Sequence, residues 1–521
     1  MSLLVEQFDL GPGFPEWTEI GQDTGLDPLA MQRPIELVFQ SLLPGISTIT
    51  LRLRYYSFFA WLLEAYAKRK GVTSDYASFR RFHRKAEALY ALTCARGEVE
   101  LGVAGIDWAR RQLEKIRAWH PDAVIDFREA ADPTSDVNVR YLRNIGGAFG
   151  AIYASQMQEM GLIKLDDRDM PVPFCKDPGL ALAESFQISV GDLTGGFLGA
   201  VEAGEVSVET LDRLALLKPS KIEPGSQEQQ ALSAILMGRH GNARPSDKTR
   251  NETLRMLLHV GQHFGRPPRS EETKWIWFGA RAGDEEADHK SDLQAVWALY
   301  QTSDLLRLAY ETFLMASLNF LRHAPRQRAS LGALVENLVE LANPLENHSL
   351  RDWFSVLADG TDVENLAKTS ATSMQEGLAE SDDQKAVRSA WSLIAALMIK
   401  GDAFDDGILT WLGSAGHFQS LVTEKRFIET RSELPAVTAI AQILADRILR
   451  RHLWVASRKF RNQKAYTYLF EPDDGALRYR GQFRVAPSSP RLDQAVQFLR
   501  DVGFLNAEGV TEIGRPELEP A

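Results

Sequence analysis

A run of apolar residues at helical spacing, from Gln294 to Leu321, constrains the fold more than any other part of the chain. Its apolar residues fall on one broad side of an α-helix, where side chains three and four positions apart are neighbours. Residues 200–435 around this run have the same helical character, interrupted by polar breakers. The sequence therefore predicts a mainly α-helical fold. The apolar positions of the run are Val296, Leu299, Leu305, Leu308, Tyr310 and Phe313.

The chain is too long for one compact core. Its 521 residues favour several domains, because single hydrophobic cores stop growing at about 250–300 residues. We predict a multidomain helical protein with small winged-helix-like α+β modules. The predicted parts are an N-terminal helical domain with an irregular lead-in (1–136), a winged-helix-like segment (137–200), a helical middle domain (201–435) and a basic winged-helix-like C-terminal module (436–521).

The two winged-helix-like parts are predicted from the order of their elements. In the first, a helix over Tyr141–Met160 precedes a short strand, a polar turn, a second short strand and another helix. In the second, a long helix over Ala436–Arg461 precedes a hairpin whose tight turn is Pro472–Gly475. A helix that begins at Pro490 and a final short strand complete the C-terminal module.

Composition and charge argue against several classes of protein. An apolar fraction of 44% and a charged fraction of 25% are ordinary for globular chains. The net charge of −11 disfavours a uniformly basic, histone-like binder. No segment reaches the ~18–20 apolar residues that cross a bilayer, and Met1–Leu10 lacks the basic and apolar parts of a signal peptide. With Cys94 and Cys175 as the only cysteines, we expect a cytoplasmic protein with reduced thiols and no membrane partner.

Basic residues are concentrated near the C-terminus. Between Arg447 and Arg491 there are eleven Lys and Arg against three acidic residues, so this segment carries about +8 and the rest of the chain about −19. Such a segment can neutralise phosphates, and the rings of Tyr479 and Phe483 could stack on bases. Four of its arginines recur at spacings of four, seven and three, which puts them on one helix face. The predicted nucleic-acid-binding residues are Arg447, Arg451, Arg458, Lys459, Arg461, Arg478, Arg480 and Arg484.

Other interpretations of the basic residues stay open. The C-terminal segment could be a solvated face, or it could dock on the acidic remainder of the chain. A second cluster, made of Arg80, Arg81, His83, Arg84 and Lys85, lies in a predicted helix over Tyr76–Arg96. A single amphipathic helix explains that cluster, so we favour a structural role for it over phosphate binding.

Catalytic and metal-binding motifs are weak. Glu272 and Lys274 match the letters of a nuclease E-x-K motif, but they follow a polar run and not the buried strand that such a site needs. His259 and His263 have the spacing of two zinc ligands but lack the glutamate of H-E-x-x-H. Neither a P-loop nor a nucleophile elbow occurs. We therefore predict no catalytic residue, metal or cofactor, and we favour a non-enzymatic protein over a cryptic metal-dependent nuclease.

Two stretches resemble large uncharacterised bacterial proteins found with mobile elements and antiphage defence genes. They are LLPGISTITLRLRYYSFFAWLLEAYAKR (42–69) and HLWVASRKFRNQKAYTYLFEPDDGALRYR (452–480). A third, GFLNAEGVTEIGR (503–515), is similar to the closing helix and wing of winged-helix domains. The first two resemblances imply a component of a bacterial defence or mobile-element complex, and the third implies a winged-helix fold.

Our hypothesis combines this resemblance with the charge distribution. The basic C-terminal module would bind double-stranded DNA, and the acidic helical body would bind partner subunits that supply the catalysis. The alternative is a protein–protein scaffold whose winged helices bind partner subunits, since winged helices also serve as protein–protein modules.

Overall fold

The computed structural model describes residues 27–73, 75–116, 123–165, 170–241, 243–279, 292–358, 362–413 and 419–519. Helices dominate, and the strands form only small sheets, which confirms the predicted mainly α-helical fold. The α-helices are α1 (Gln32–Leu42), α2 (Arg54–Lys70), α3 (Tyr76–Ala95), α4 (Ile106–Lys115), α5 (Arg128–Ala131), α6 (Ala154–Glu159), α7 (Asp177–Val190), α8 (Leu193–Ala203), α9 (Val208–Arg213), α10 (Gln227–Leu236), α11 (Pro245–Phe264), α12 (Ser270–Gly279), α13 (Asp292–His323), α14 (Leu331–Ala342), α15 (Leu350–Ala358), α16 (Val363–Glu380), α17 (Asp383–Gly401), α18 (Asp406–Leu409), α19 (Leu421–Glu429), α20 (Ala436–Ile443), α21 (Arg450–Gln463) and α22 (Leu492–Asp501).

The strands pair antiparallel in sheets of two or three. They are β1 (Val124–Asp126), β2 (Ile163–Lys164), β3 (Phe174–Cys175), β4 (Glu205–Ser207), β5 (Arg328–Ala329), β6 (Phe470–Asp473), β7 (Ala476–Tyr479), β8 (Leu505–Asn506) and β9 (Gly509–Val510). The sheets are β1-β4, β2-β3, β5-β7-β6 and β8-β9. π-Helical turns occur at Phe149–Tyr153 and Leu444–Leu449, and 3₁₀ turns at Leu214–Leu217, Pro325–Gln327, Thr410–Leu412 and Arg515–Leu518.

The chain divides into two compact units. The first unit comprises the described residues of 41–269 and 491–519. The second unit comprises those of 27–40 and 270–490. The division falls between Pro490 and Arg491, inside the predicted C-terminal module. The four-part division drawn from the sequence stays a prediction.

The core of the first unit is built on the aromatic helix α2. Phe58 stacks on Tyr90 of α3 with ring centroids 4.2 Å apart, and Tyr55 stacks on Tyr153 at 4.7 Å. Burying aromatic rings of this size removes a large apolar area from water, and ring pairs add a further ~0.5–1.5 kcal/mol each. This packing explains why the apolar segment before Lys70 is helical and almost wholly buried.

The second unit is built around the long helix α13. Phe313 packs on Trp391 of α17 with ring centroids 4.9 Å apart, and Trp297 packs on Trp277 of α12 at 5.0 Å. The apolar run recognised in the sequence therefore forms the central helix of this unit. Its middle is polar, because Arg307 is buried and pairs with Asp304 and Glu311 on the same helix, each at 2.8 Å.

Most predicted elements are present, with one displaced boundary. The two short strands of the segment 137–200 pair as β2 and β3, and the helix after them is α7; the predicted turn at 166–169 lies outside the described residues. The predicted helix over Tyr141–Met160 begins too early. Residues 141–146 are not helical, because the Tyr141 hydroxyl donates to the buried carboxylate of Glu87, which also accepts from the Ala148 and Phe149 amides.

Candidate nucleic-acid interface

The outer face of α21 carries a basic and aromatic stripe. Arg450, Trp454, Arg458 and Arg461 follow one another at spacings of four, four and three, so they share one side of the helix. All four side chains are exposed, while Val455 and Ala456 on the opposite side are buried. The helix is therefore amphipathic in an unusual sense, because its outer side is cationic and includes a tryptophan. We call these four residues the α21 basic face.

The environment of the α21 basic face leaves two of its arginines available. Arg450 pairs with Asp446 one turn earlier at 2.6 Å. The guanidinium of Arg458 lies over the Trp454 ring, 5.5 Å from its centroid, and 44% of Trp454 is exposed. Neither Arg458 nor Arg461 forms an ion pair within the part of the chain that the structure describes. An exposed indole held beneath a guanidinium is suited to stacking or cation–π contact with a ligand.

Two of the predicted DNA-binding arginines have a different role. Arg451 is buried and its guanidinium pairs with the buried carboxylate of Glu424 of α19 at 2.6 Å. Arg447 approaches the same carboxylate at 3.6 Å and lies on the Phe427 ring, 3.9 Å from the centroid. Of the four arginines that the sequence places on one helix face, Arg451 is therefore buried. Trp454 and Arg450 complete the exposed face instead.

Lys459 lies on the side of α21 that faces the beginning of the described chain. Its ammonium is 3.5 Å from the carbonyl oxygen of Asp27. The Asp27 carboxylate accepts from the amides of Met31 and Gln32 and so holds the first turn of α1. Burial raises the pKa of Asp27, and the charge of Lys459 partly opposes that shift. Lys459 therefore stabilises the contact between α21 and the segment before α1.

A histidine ties α21 to the hairpin that follows it. The buried ring of His452 accepts from the Leu469 amide at Nε2, 3.0 Å, and its Nδ1 lies 3.2 Å from the Pro28 carbonyl oxygen. Those partners require a neutral ring protonated at Nδ1. Burial lowers the pKa of His452 to about 4, so this arrangement persists at neutral pH. The hairpin consequently begins beside α21, and Phe470 packs on the same imidazole.

The predicted hairpin is present with the expected turn chemistry. Asp473 pairs with Ala476, and the two residues between them, Asp474 and Gly475, both have positive φ angles of 49° and 73°. Two such residues in a two-residue loop match the right-handed twist of the strands. The hairpin gains a third strand that the sequence did not indicate, since β5 pairs with β7 and places Arg328 opposite Arg478.

The hairpin arginines are largely neutralised within the sheet. Asp473 lies between Arg328, at 3.2 Å, and Arg478, at 2.5 Å. Arg480 pairs with Glu471, and the hydrogen bonds from Arg480 and Tyr466 lower the pKa of that carboxyl group. These ion pairs are partly exposed, so salt and competing phosphates can weaken them.

Arg484 lies beyond the hairpin in an extended segment, residues 482–487. Its side chain is exposed and forms no ion pair with any described residue. The segment crosses α13 and is held by Arg307, whose Nη2 donates to the Ala486 carbonyl oxygen at 2.8 Å, and by the Ser488 amide, which donates to Asp304 at 3.0 Å. The buried ion cluster of α13 thus positions the chain that carries Arg484.

Two of the weaker candidates from the sequence, Lys274 and His259, make structural contacts. Lys274 and Glu272 lie on the helix α12, where Lys274 is buried and pairs with Glu271 at 2.8 Å; this is not the strand end that a nuclease motif needs. His259 lies 3.0 Å from the Leu518 carbonyl oxygen, whereas His263 is exposed on the next turn. Among the described residues, no group of three or more His, Cys, Asp and Glu side chains is arranged to hold a metal ion.

The cluster from Arg80 to Lys85 is confirmed as part of an amphipathic helix. Arg84 is fully buried and donates to the carbonyl oxygens of Ala131 and Asn144 at 2.7 and 2.5 Å. His83 is buried among Phe59, Phe79 and Phe149. Of the other cations in the cluster, Arg81 is exposed, whereas Arg80 and Lys85 are half-buried.

Two further observations bear on what the chain can be. No helix among the described residues has both the length and the apolar character needed to cross a membrane. Comparison with protein-family models, with curated proteins and with solved structures finds no match to this chain.

Proposed function

We propose that this protein is a non-enzymatic, DNA-binding component of a multi-subunit assembly, and that the α21 basic face contacts the phosphates of double-stranded DNA. The observation that carries the proposal is the exposed stripe Arg450, Trp454, Arg458 and Arg461, in which two arginines have no carboxylate partner among the described residues. Cations without an internal partner keep their charge available for phosphates.

The geometry of the stripe suits backbone contact. Arg450 and Arg461 are eleven positions apart, or about 16.5 Å along the helix at 1.5 Å per residue, and B-DNA presents one charge every ~1.7 Å along its axis. The other side of α21 is buried within its own unit, so α21 offers one face to a ligand. We therefore expect binding that depends on salt and little on base sequence.

The basic residues are expected to contribute to DNA binding to different extents. Arg458 and Arg461 come first, because they are exposed and have no acidic partner among the described residues. Arg484 is next, and Arg450, Arg478 and Arg480 follow because a phosphate would have to displace Asp446, Asp473 or Glu471. Arg447 and Arg451 are expected to act through folding alone.

A protein–protein scaffold is the second candidate. It is favoured by exposed aromatic side chains around the end of α21, since Trp454, Phe460 and Tyr466 are 44%, 51% and 57% exposed. Exposed aromatic residues beside arginines are typical of protein interfaces as well. The assembly role and the antiphage-defence or mobile-element setting draw on the resemblance of residues 42–69 and 452–480.

Fluorescence anisotropy with a labelled ~30-base-pair duplex tests the proposal over ~50 to ~200 mM salt, the range in which phosphate-driven binding weakens most clearly. Reversing both charges in Arg458→Glu/Arg461→Glu should weaken binding by on the order of tenfold or more, and should reduce the salt slope by about 0.9 for each lost phosphate contact. Trp454→Ala should weaken binding less and leave the salt slope unchanged.

The matched control is Lys368→Glu/Arg388→Glu. Both positions are exposed, on α16 and α17 of the same unit, and the change in net charge is identical. If the control weakens binding as much as the α21 variant does, the interaction follows total charge and the proposed site is wrong. Absence of binding at ~50 mM salt, where phosphate contacts are strong, would reject DNA binding and leave the scaffold.

A further inference from the structure

A groove within the second unit continues from the hairpin. Its volume is about 950 Å³, and it lies between the C-terminal half of α13, helices α14 and α16, and the extended segment 482–487. This volume is within the ~300–1,000 Å³ typical of small-ligand sites. The groove therefore has room for a group the size of a nucleotide.

The walls of the groove are apolar and partly aromatic. Phe320 of α13 and Phe483 of the extended segment line it together with Met315 and Met374. Phenylalanine rings stack on any nucleobase, because every base has a π-face. Methionine side chains adapt to flat ligands of different shape.

Carboxamide side chains interrupt these apolar walls. Asn319, Asn337, Gln375 and Gln482 all line the groove. Gln482 and Asn319 are joined by a long hydrogen bond of 3.3 Å, whereas Asn337 and Gln375 form no side-chain hydrogen bond within the described chain. A carboxamide offers both a donor and an acceptor, which is what the edges of unpaired bases require.

Charged side chains of both signs line the groove near the C-terminal end of α13. Arg322 at the end of α13 and Arg484 on the extended segment provide cations, with His323 beside them. Asp383 is the acidic residue on the lining and is half-buried, where it accepts from the Asn319 amide at 2.8 Å. A ligand with phosphates at the arginines and bases along the carboxamides matches this distribution.

We propose that this groove binds unpaired nucleotides at the end of a bound duplex, so that DNA with a single-stranded extension is the preferred ligand. The inference rests on the proposed function, because the duplex itself would be held by the α21 basic face. The groove is preformed, since the segment 482–487 is fixed to α13 through Arg307 and Asp304. The chain runs without interruption from Arg480 in the hairpin to Arg484 at the groove.

The test compares three labelled DNAs: a blunt ~30-base-pair duplex, and the same duplex with about five unpaired nucleotides at either the 3′ or the 5′ end. Stacking is worth about 1–3 kcal/mol per base, or roughly five- to 150-fold in affinity. We expect at least one extended duplex to bind about tenfold more tightly than the blunt one. Ala379→Trp, at an exposed position that lines the groove, should abolish this gain and leave blunt-duplex affinity unchanged.

Two further variants distinguish loss of groove binding from a general effect of added bulk. Thr369→Trp adds the same bulk at an exposed position of α16 that does not line the groove, and it should keep the gain. Gln375→Ala removes a carboxamide without adding bulk and should reduce the gain in part. If Ala379→Trp unfolds the protein, as thermal denaturation would reveal, the Gln375→Ala result decides.

The outcomes separate this inference from the proposed function. Equal affinity for blunt and extended duplexes, or a gain that survives Ala379→Trp and Gln375→Ala, would overturn the inference and leave duplex binding intact. Binding of extended DNA without binding of the blunt duplex would support the groove and reject duplex binding by α21. Absence of binding to all three DNAs would overturn both.

Discussion

Two arginines of the first unit, Arg54 and Arg250, and two arginines of α21 in the second unit, Arg458 and Arg461, have opposite environments. In the first unit, Arg54 and Arg250 are buried, and their donors are met by carbonyl oxygens and by the carboxylates of Glu228 and Asp247. On α21, Arg458 and Arg461 are exposed and form no ion pair with any described residue. A guanidinium whose donors are all used internally holds elements together, whereas one without an ion-pair partner is available to a ligand.

The buried arginines join parts of the chain that are far apart in sequence. Arg54 of α2 binds both carboxylate oxygens of Glu228 on α10, at 3.0 and 2.8 Å, and donates to the carbonyl oxygens of Leu216 and Lys218. Such a pair compensates desolvation only when its hydrogen bonds are complete. Removing one partner is therefore much more costly than removing both.

The largest expected loss of stability follows from breaking the Arg54–Glu228 pair. Arg54→Leu leaves the Glu228 carboxylate buried without its cation and should lower the free energy of unfolding by about 3–5 kcal/mol. Thermal denaturation should show a decrease in Tm on the order of 10 °C. The double variant Arg54→Leu/Glu228→Leu should recover much of the loss. A single variant as stable as the parent chain would contradict the role given to Arg54.

The contrast between buried and exposed arginines can be tested on one helix, by making the same Arg→Glu change at two positions. Arg451→Glu places a second carboxylate beside the buried Glu424 and should destabilise the protein by about 3 kcal/mol or more. Arg458→Glu, two turns further along, should change stability by less than about 0.5 kcal/mol, because its side chain is exposed. Urea denaturation of both variants measures the difference. Similar losses would show that burial does not divide the arginines of α21 as described.

The third prediction concerns His83 in the first unit. Burial lowers its pKa to about 3, and neither ring nitrogen has a hydrogen-bond partner among the described residues. Between pH 6.5 and 3 the unfolded chain takes up a proton that the folded state does not, so stability falls as pH falls. The slope is at most about 1.4 kcal/mol per pH unit. His83→Phe should remove this contribution when unfolding free energies are compared across that range; an unchanged slope would contradict it.

The smallest expected effect is a pH dependence of stability in the second unit, and its sign is opposite to that of His83. Burial raises the pKa of Glu311 to about 7, although Arg307 at 2.8 Å opposes the shift. Between pH 4.5 and 7 the folded state holds a proton that the unfolded chain releases, so stability falls as pH rises. Glu311→Gln should flatten this dependence in urea denaturation at several pH values. A variant with the parent's pH dependence would rule out Glu311 as its source.

Several elements could be predicted because their signals are local. The helix predicted over Tyr76–Arg96 matches α3 almost to the residue, since Asp75 caps its first turn by accepting from the Ser78 amide. The hairpin β6–β7 follows from the Asp-Gly turn, whose two residues can adopt positive φ. The apolar run from Gln294 to Leu321 lies wholly within α13.

The candidate site could be predicted only in part. The sequence identified Arg458, Arg461 and Arg484, which are exposed, together with Arg451, which is buried. Helical spacing cannot distinguish them, because Arg451 is buried by Glu424 from another helix. Trp454 belongs to the same stripe at helical spacing, and a search for aromatic residues at i+4 from each arginine would have found it.

The amino-acid sequence by itself determined the mainly helical fold, the positions of several helices and the hairpin, because periodicity, capping and turn chemistry act over a few residues. Only the tertiary structure decided which arginines are buried, which strand joins the hairpin and where the groove opens. Arg54 meets a carboxylate 174 positions away, and Arg328 meets Asp473 across 145 positions. Burial and ion pairing depend on what packs against a side chain, and no local pattern contains that information.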